Sequence, residues 1–163
     1  YNLSTFILQT ILSSEELRKL KINVVVGSAF NNKQQLKGLS SSNTNVILHE
    51  NVMHMSEVIL KSDIAISAGG STLYELYACG TPSLVFIMAD NQEFLVKKMA
   101  ELGYIHNVGW YDVMNKQSFI NTLKSFIDNF EQRRQMSCKG QTLVDGEGAA
   151  RIVKVIEQVI ENT

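Results

Sequence analysis

Apolar residues follow two alternating spacings along the chain. Short β-branched or apolar runs that end in a glycine or polar residue are typical of buried parallel strands. Such runs predict strands at residues 22–26, 46–49, 63–67, 83–88 and 104–108. Apolar positions three or four residues apart indicate amphipathic helices. This spacing predicts helices at residues 3–12, 14–20, 31–39, 52–60, 71–78, 93–102, 116–129, 131–142 and 146–162.

The alternation of strands and helices predicts the fold class. It implies an α/β domain with one parallel sheet of about five to six strands and helices on both faces. The 163 residues, 45% of them hydrophobic, suit a single domain over residues 1–163. Ligands of such sheets bind outside the carboxyl ends of the strands. The polar loops at residues 49–51, 68–72 and 89–93 are therefore expected to meet in one cleft.

Charge and cysteine content narrow the classes of partner. The formal net charge is -1, and no basic run stands out, which argues against nucleic acid as a partner. No apolar run reaches the roughly 20 residues of a membrane span, so no membrane insertion is expected. Cys79 and Cys138 lack the spacing of a zinc site. We expect a cytoplasmic protein with a small-molecule ligand, without a cofactor or metal.

The stretch at residues 62–80 carries the clearest candidate chemistry. It predicts a buried strand, a turn at Gly69 and Gly70, and a helix entered through Ser71 and Thr72. Glycines let a ligand approach the backbone, and the first N–H groups of a helix favour an anion such as phosphate. Glu75 lies one turn further on, where its carboxylate can accept hydrogen bonds from sugar hydroxyls. Together these features suggest a nucleotide site.

A purely structural role, such as helix capping, is an alternative interpretation of these residues. Thr72 and Glu75 have the spacing of a capping box, which would make the stretch an ordinary helix start. Asp90 and Asn91 could likewise cap the following helix, and His49 could be a loop histidine without a chemical role.

Three segments taken together resemble a known family. Residues 62–82, 89–93 and 102–110 resemble the C-terminal, Rossmann-like half of GT-B-fold proteins. The resemblance is to the UDP-sugar hydrolases of pseudaminic acid biosynthesis and their spore-coat-polysaccharide relatives, and more distantly to the peptidoglycan N-acetylglucosaminyltransferase. Residues 1–4 resemble the family's entry to its first helix. This implies that the domain is truncated, lacking a preceding strand, a glycine loop and the N-terminal domain.

The resemblance also implies roles for individual residues. The glycine turn and its two hydroxyls would hold the diphosphate, Glu75 the ribose, and the loop at residues 49–53 the uracil. Asn91 and Gln92 would reach the sugar, because a carboxamide both donates and accepts hydrogen bonds. The implied substrate-binding residues are His49, Val52, Gly69, Gly70, Ser71, Thr72, Glu75, Asn91 and Gln92.

The parent protein implied by the resemblance acts on a UDP-sugar. It would release UDP from a UDP-linked diacetamido-trideoxyhexose in nonulosonic acid or surface polysaccharide biosynthesis. The alternatives are the donor-binding domain of a glycosyltransferase and a non-enzymatic, nucleotide-binding regulatory domain. No catalytic residue is expected in this chain, because the family's water-activating histidine belongs to the N-terminal domain. An open sheet edge beside residues 22–26 would make a homo-oligomer a further expectation.

Overall fold

A computed structural model of the protein describes residues 2–27, 30 and 32–161. The strands of this part are β1 (Ile22–Val26), β2 (Val46–Glu50), β3 (Ala65–Ala68), β4 (Ser83–Ile87) and β5 (His106–Trp110). Its α-helices are α1 (Leu3–Ser13), α2 (Lys33–Ser41), α3 (Met55–Ile59), α4 (Thr72–Cys79), α5 (Asp90–Glu101), α6 (Lys116–Asp128), α7 (Phe130–Leu143) and α8 (Gly148–Glu161). The α/β prediction is confirmed. Where a helix was predicted at residues 14–20, a single 3-10 turn forms at Leu17–Lys19.

Three of the sequence predictions extend beyond the described residues. Residue 1 of the predicted helix entry, residue 31 at the start of the second predicted long helix, and residue 162 at the end of the last one lie outside the described residues.

The strands form two parallel sheets instead of the single sheet predicted. β1 pairs with β2, while β4 lies between β3 and β5. Among the described residues, the second edges of β1 and β3 have no partner strand. Within the part of the chain that the structure describes, no strand of one sheet pairs with a strand of the other. The candidate residues lie at or after the carboxyl ends of β2, β3 and β4.

The centre of the core is β4, all five of whose residues are buried. Successive side chains of a strand point to opposite faces. Leu84 and Phe86 pack with α1 and α6 on one face, whereas Val85 and Ile87 pack with α4 and α5 on the other. β4 therefore fixes the helices that flank the glycine turn.

The two-stranded sheet is covered less evenly. One face packs on α1 and α2 through a small cluster that includes Leu8, Leu36 and Val46. The opposite face carries Asn23 and His49, which line a cavity beside α3. This half of the molecule thus offers an open polar surface.

The last helix, α8, lies on the surface. Its apolar stripe exists as predicted, but every described residue of α8 is exposed. An ion pair with N···O at 2.7 Å joins Asp145, before the helix, to Arg151 in its first turn. Among the described residues, none of the helices combines the length and apolar character that a membrane crossing requires.

Candidate functional site

In the glycine turn between β3 and α4, two backbone N–H groups form hydrogen bonds within the protein. The Gly69 N–H donates to the Phe86 carbonyl at 3.1 Å, and the Gly70 N–H donates to the Ala68 carbonyl at 2.8 Å. The next two N–H groups, of Ser71 and Thr72, make no hydrogen bond within the described part of the chain. The backbone N–H groups available to a ligand are therefore those of Ser71 and Thr72. The glycines, which lack side chains, leave room for the ligand to approach.

Gly69 and Gly70 differ sharply in their surroundings. A Cβ atom added to Gly69 would overlap Cγ2 of Val96 and lie 3.3 Å from Cβ of Gln92. Gly70 has no heavy atom within 4 Å of the same position. Gly69 is thus required for the close packing of the turn on α5, whereas Gly70 faces open space where a ligand can approach.

The start of α4 is not capped by its own side chains. Ser71 is the N-cap residue, and no side chain accepts a hydrogen bond at this end of the helix. The side chains of Ser71, Thr72 and Glu75 are all exposed. The capping-box interpretation of Thr72 and Glu75 is therefore not observed, and both hydroxyls remain available at the positive end of the helix dipole.

The start of α5 is held by Gln92 instead of the residues expected to cap it. The helix begins at Asp90, and neither Asp90 nor the exposed Asn91 caps it. Gln92 Oε1 accepts a hydrogen bond from the Met88 N–H at 3.0 Å. The carboxamide of Gln92 therefore joins the end of β4 to the first turn of α5.

Glu93 adds a contact that the sequence predictions missed. Its carboxylate lies 2.7 Å from Lys97 Nζ and accepts a hydrogen bond from Trp110 Nε1 at 3.5 Å. The hydrogen bond from Lys97, and then that from Trp110, lower the pKa of Glu93. The i, i+4 spacing of Glu93 and Lys97 was a visible signal, but the contact with Trp110 depends on the packing of β5 against α5.

His49 and Val52 lie in a separate cavity of about 470 Å³. Asn23 Oδ1 lies 2.9 Å from His49 Nε2, and because an amide oxygen only accepts, the imidazole donates through Nε2. The cavity lies between the open face of the two-stranded sheet and α3. Its walls are formed by Asn23, Leu48, His49, Glu50, Val52, Met53, His54, Glu57, Val58 and Lys61.

The nine predicted residues therefore fall into groups. Gly69 packs close to Gln92, and His49 and Val52 share the cavity. The glycine turn, Glu75, Asn91 and Gln92 are not among the residues that line this cavity. His49 lies in the last part of β2, and the other eight positions follow the carboxyl ends of β2, β3 or β4.

The Cys79 thiol and the possible metal-ligand side chains were the remaining candidates for chemistry. Burial, and then the Glu75 carboxylate, raise the pKa of the Cys79 thiol, which keeps the thiol protonated. Within residues 2–27, 30 and 32–161, no group of three or more His, Cys, Asp or Glu side chains could hold a metal ion.

The chain is similar in sequence to two named bacterial proteins. It is 23% identical over 146 residues to the spore coat polysaccharide biosynthesis protein SpsG of Bacillus subtilis, covering 90% of this chain and 43% of SpsG. It is 33% identical over 111 residues to a Helicobacter pylori protein, covering 67% of this chain and 20% of that protein. The Helicobacter protein is named pseudaminic acid cytidylyltransferase and UDP-2,4-diacetamido-2,4,6-trideoxy-beta-L-altropyranose hydrolase. The chain thus spans less than half the length of either relative.

Two solved structures share the fold. MurG of Acinetobacter baumannii superposes with a TM-score of 0.68 at 16% identity, covering 96% of this chain and 48% of MurG. The UDP-GlcNAc 2-epimerase of Neisseria meningitidis, solved with UDP-GlcNAc, gives a TM-score of 0.67 at 19% identity and covers 96% of this chain and 41% of the epimerase. Both structures support the Rossmann-like, GT-B type of architecture.

The sequence profile of one family extends over almost the whole described fold. Residues 3–155 match it, from the first residue of α1 into α8. The match includes the glycine turn, the start of α5 and the cavity beside α3. The chain belongs to the glycosyltransferase family 28 C-terminal domain family.

Proposed function

We propose that this chain is the nucleotide-binding domain of a protein that acts on a UDP-linked amino sugar. The observation that carries the proposal is the uncapped start of α4, where two N–H groups and two exposed hydroxyls lie beside an open glycine. A helix N-terminus with free donors is suited to bind a phosphate group. The named activities of the relatives, a UDP-sugar hydrolase and a UDP-GlcNAc epimerase, support a UDP-sugar as the ligand.

In this proposal the diphosphate binds at Ser71 and Thr72. Their N–H groups and hydroxyls donate to phosphate oxygens, while Gly70 leaves room for the ligand to approach. Glu75, exposed one turn further along α4, accepts hydrogen bonds from the ribose hydroxyls. The sign of the helix dipole favours the phosphate charge at this end of α4.

The cavity beside α3 is the proposed place of the base. A volume of about 470 Å³ is ample for a pyrimidine ring, and Val52 offers an apolar contact. His49 is held by Asn23, so it lines the wall in a defined orientation.

The proposed reaction separates UDP from the sugar. In hydrolysis a water oxygen bonds to C1 and gives up a proton to the group that activates the water, while the bond from C1 to the diphosphate oxygen breaks and its electron pair leaves with UDP. Negative charge grows on the diphosphate, so donors at Ser71 and Thr72 stabilise the transition state more than the ground state. The group that activates water lies in another part of the parent protein.

Transfer to an acceptor hydroxyl is the second candidate. It breaks the same C1–oxygen bond and uses the same leaving-group contacts. The family name favours transfer, whereas the Helicobacter relative's name favours hydrolysis. The precise sugar, the reaction type and association with another copy are predictions for the whole parent protein.

A titration with UDP tests the site directly. We expect Thr72→Ala and Glu75→Ala each to weaken UDP binding about tenfold, since each removes a hydrogen bond worth roughly 1–1.5 kcal/mol. Ligand-observed NMR at millimolar UDP measures weak binding. Thr44→Ala and Glu157→Ala, both at exposed positions that are not among the proposed ligand contacts, are the matched controls.

Two results would contradict the proposal. UDP binding that survives both site substitutions would place the nucleotide elsewhere. Binding of UDP without any turnover by the parent protein would favour the regulatory alternative over both enzymatic ones.

A further inference from the structure

The helix α8 presents an apolar stripe that the rest of the described chain does not cover. Five of its β-branched residues are between 52% and 69% exposed: Ile152, Val153, Val155, Ile156 and Ile160. Their spacing puts them on one side of the helix, and Lys154 and Glu161 fall on the other side. The hydrophobic clusters formed by the described residues include no residue of α8. The stripe is therefore a surface feature and not a part of the core.

The turn that leads into α8 is held by specific bonds. Asp145 Oδ1 accepts a hydrogen bond from the Glu147 N–H at 3.0 Å. The same carboxylate is bound by both terminal nitrogens of Arg151, at 2.7 and 3.1 Å. Gly146, between them, adopts a positive φ of 81°, which a glycine takes without strain. The start of α8 is thus tied to the preceding turn, and the helix is a defined element of the structure.

A helix of this length and composition needs a packing partner. α8 has 14 residues, and isolated helices of that length are marginal in water. Ile and Val are weaker helix formers than Ala or Leu, so the stripe itself does not favour a free helix. The exposed parts of the five side chains present on the order of 500 Å² of apolar surface, and contiguous patches of that size mark interaction sites.

The polar side of α8 argues for a protein partner over a lipid surface. Its charged residues are two basic and two acidic, Arg151, Lys154, Glu157 and Glu161, so the helix has no net charge. Helices that lie in a membrane interface are rich in Lys and Arg and carry Trp, Phe or Leu on the apolar side. Residues 148–161 contain none of these three apolar residue types.

We propose that α8 is a self-association helix, through which two copies of this chain pack antiparallel, stripe against stripe. The stripe is centred near Val155, close to the middle of the helix, so an antiparallel arrangement places its centre against itself. All five side chains are β-branched and already restricted in χ1, so packing costs them little further entropy. Antiparallel helices also bring opposite ends of their dipoles together.

The area that this pairing buries is consistent with a weak dimer. Covering both stripes removes on the order of 1,000 Å² of surface, which is the lower limit for a specific interface. We therefore expect the dimer to be half formed at roughly 100 μM chain. The proposal places association on α8 instead of the open sheet edge beside β1, and it is independent of the proposed UDP-sugar site.

The experiment measures the mass of the chain as its concentration changes. Sedimentation velocity is recorded between about 5 and 500 μM for the wild type and for a double variant, Ile152→Gln with Ile156→Gln. The control is Lys154→Gln, which introduces the same residue type on the opposite side of α8. Amide NMR spectra of the wild type over the same range identify the residues whose signals change with concentration.

The expected results assign the interface to the stripe. The wild type and Lys154→Gln shift from monomer to dimer as concentration rises, and the double variant associates at least about tenfold more weakly because two apolar contacts per copy are lost. Concentration-dependent NMR shifts fall on residues of α8. Thermal unfolding of the double variant stays close to that of the wild type, since neither isoleucine belongs to a core cluster.

Four outcomes would overturn the inference. A wild-type chain that stays monomeric up to 500 μM shows that α8 does not pair with itself, and binding of that monomer to phosphatidylglycerol vesicles would assign the stripe to a membrane surface. A dimer that persists in the double variant, or NMR shifts confined to β1 and its neighbours, would place the interface on the sheet edge.

Discussion

The two sheets of this molecule differ in how tightly they are built. In the three-stranded sheet, β4 is buried on both faces, and Gly69, after β3, packs close to Gln92, after β4. In the two-stranded sheet, one face packs on helices while the other lines an open cavity at His49. The candidate hydrogen-bond donors to the phosphate therefore lie beside the well-packed three-stranded sheet. The candidate base site lies beside the two-stranded sheet, which has an open face.

This difference has a physical consequence for recognition. Donors that stabilise developing charge work best when packing holds them in place, because no energy is then spent on reorganising them. A base site can tolerate a looser wall, since ring burial is not directional. We therefore expect substitutions in the three-stranded half to act strongly on stability, and those in the two-stranded half to act mainly on binding.

The largest effect is expected from the centre of the rigid sheet. Phe86 is fully buried, and its ring centroid lies 5.7 Å from that of Phe119. Phe86→Ala should lower the free energy of unfolding by about 3–5 kcal/mol. The comparison is Ile47→Ala on β2, where 39% of the residue is exposed and a loss of about 1 kcal/mol or less is expected. Urea unfolding followed by circular dichroism measures both, and equal losses would break the contrast between the sheets.

A smaller effect is expected from the glycine turn. Gly69→Ala forces a methyl group into Val96, which is itself fully buried, and should cost about 1–3 kcal/mol of unfolding free energy. Gly70→Ala meets open space and should change stability by about 0.5 kcal/mol or less. The same urea series measures the pair. A large loss of stability in Gly70→Ala would show that the turn is packed on both sides.

The smallest effect is expected on the pH dependence of stability, through a histidine at the start of β5. His106 is half-buried, its ring 5.7 Å from that of Phe126, and burial lowers its pKa below 6.5. The unfolded chain then binds a proton at His106 more readily than the folded chain does. The stability that neutral, buried His106 contributes is therefore complete above about pH 6.5 and is lost as pH falls through the folded-state pKa of His106. His106→Gln should flatten the fall in stability between about pH 7 and 5. Unfolding midpoints measured at several pH values test this, and an unchanged slope would contradict it.

Much of the fold could be predicted from residue spacing. The boundaries of β1 and α6 were matched to within a residue, because a β-branched run and a capped amphipathic helix are local signals. β5 was predicted two residues too early. Its pairing with β4 shifts register between Val85 and Phe86, and Gly109 adopts a positive φ of 98° inside the strand. Such an irregularity arises from the pairing of β5 with β4, and no local spacing of residues in the sequence predicts it.

The candidate site was predictable only in its chemistry. The sequence pointed to Gly69 and Gly70 together, since both allow a tight turn, but it could not show that one is filled by Val96 and the other is open. It likewise expected Gln92 to be a free ligand group. Only the closeness of β4 to α5 revealed that its oxygen is already bonded to Met88.

The sequence by itself determined the order of strands and helices, the family, and the residue types at the strand ends, because these depend on local pattern. Tertiary structure decided which of those groups remain available. It paired the strands into two sheets, left the apolar stripe of α8 exposed, and set the glycine turn before α4 close to Gln92. The reason is that hydrogen bonds and packing between distant segments consume some donors and leave others, and no local spacing records that choice.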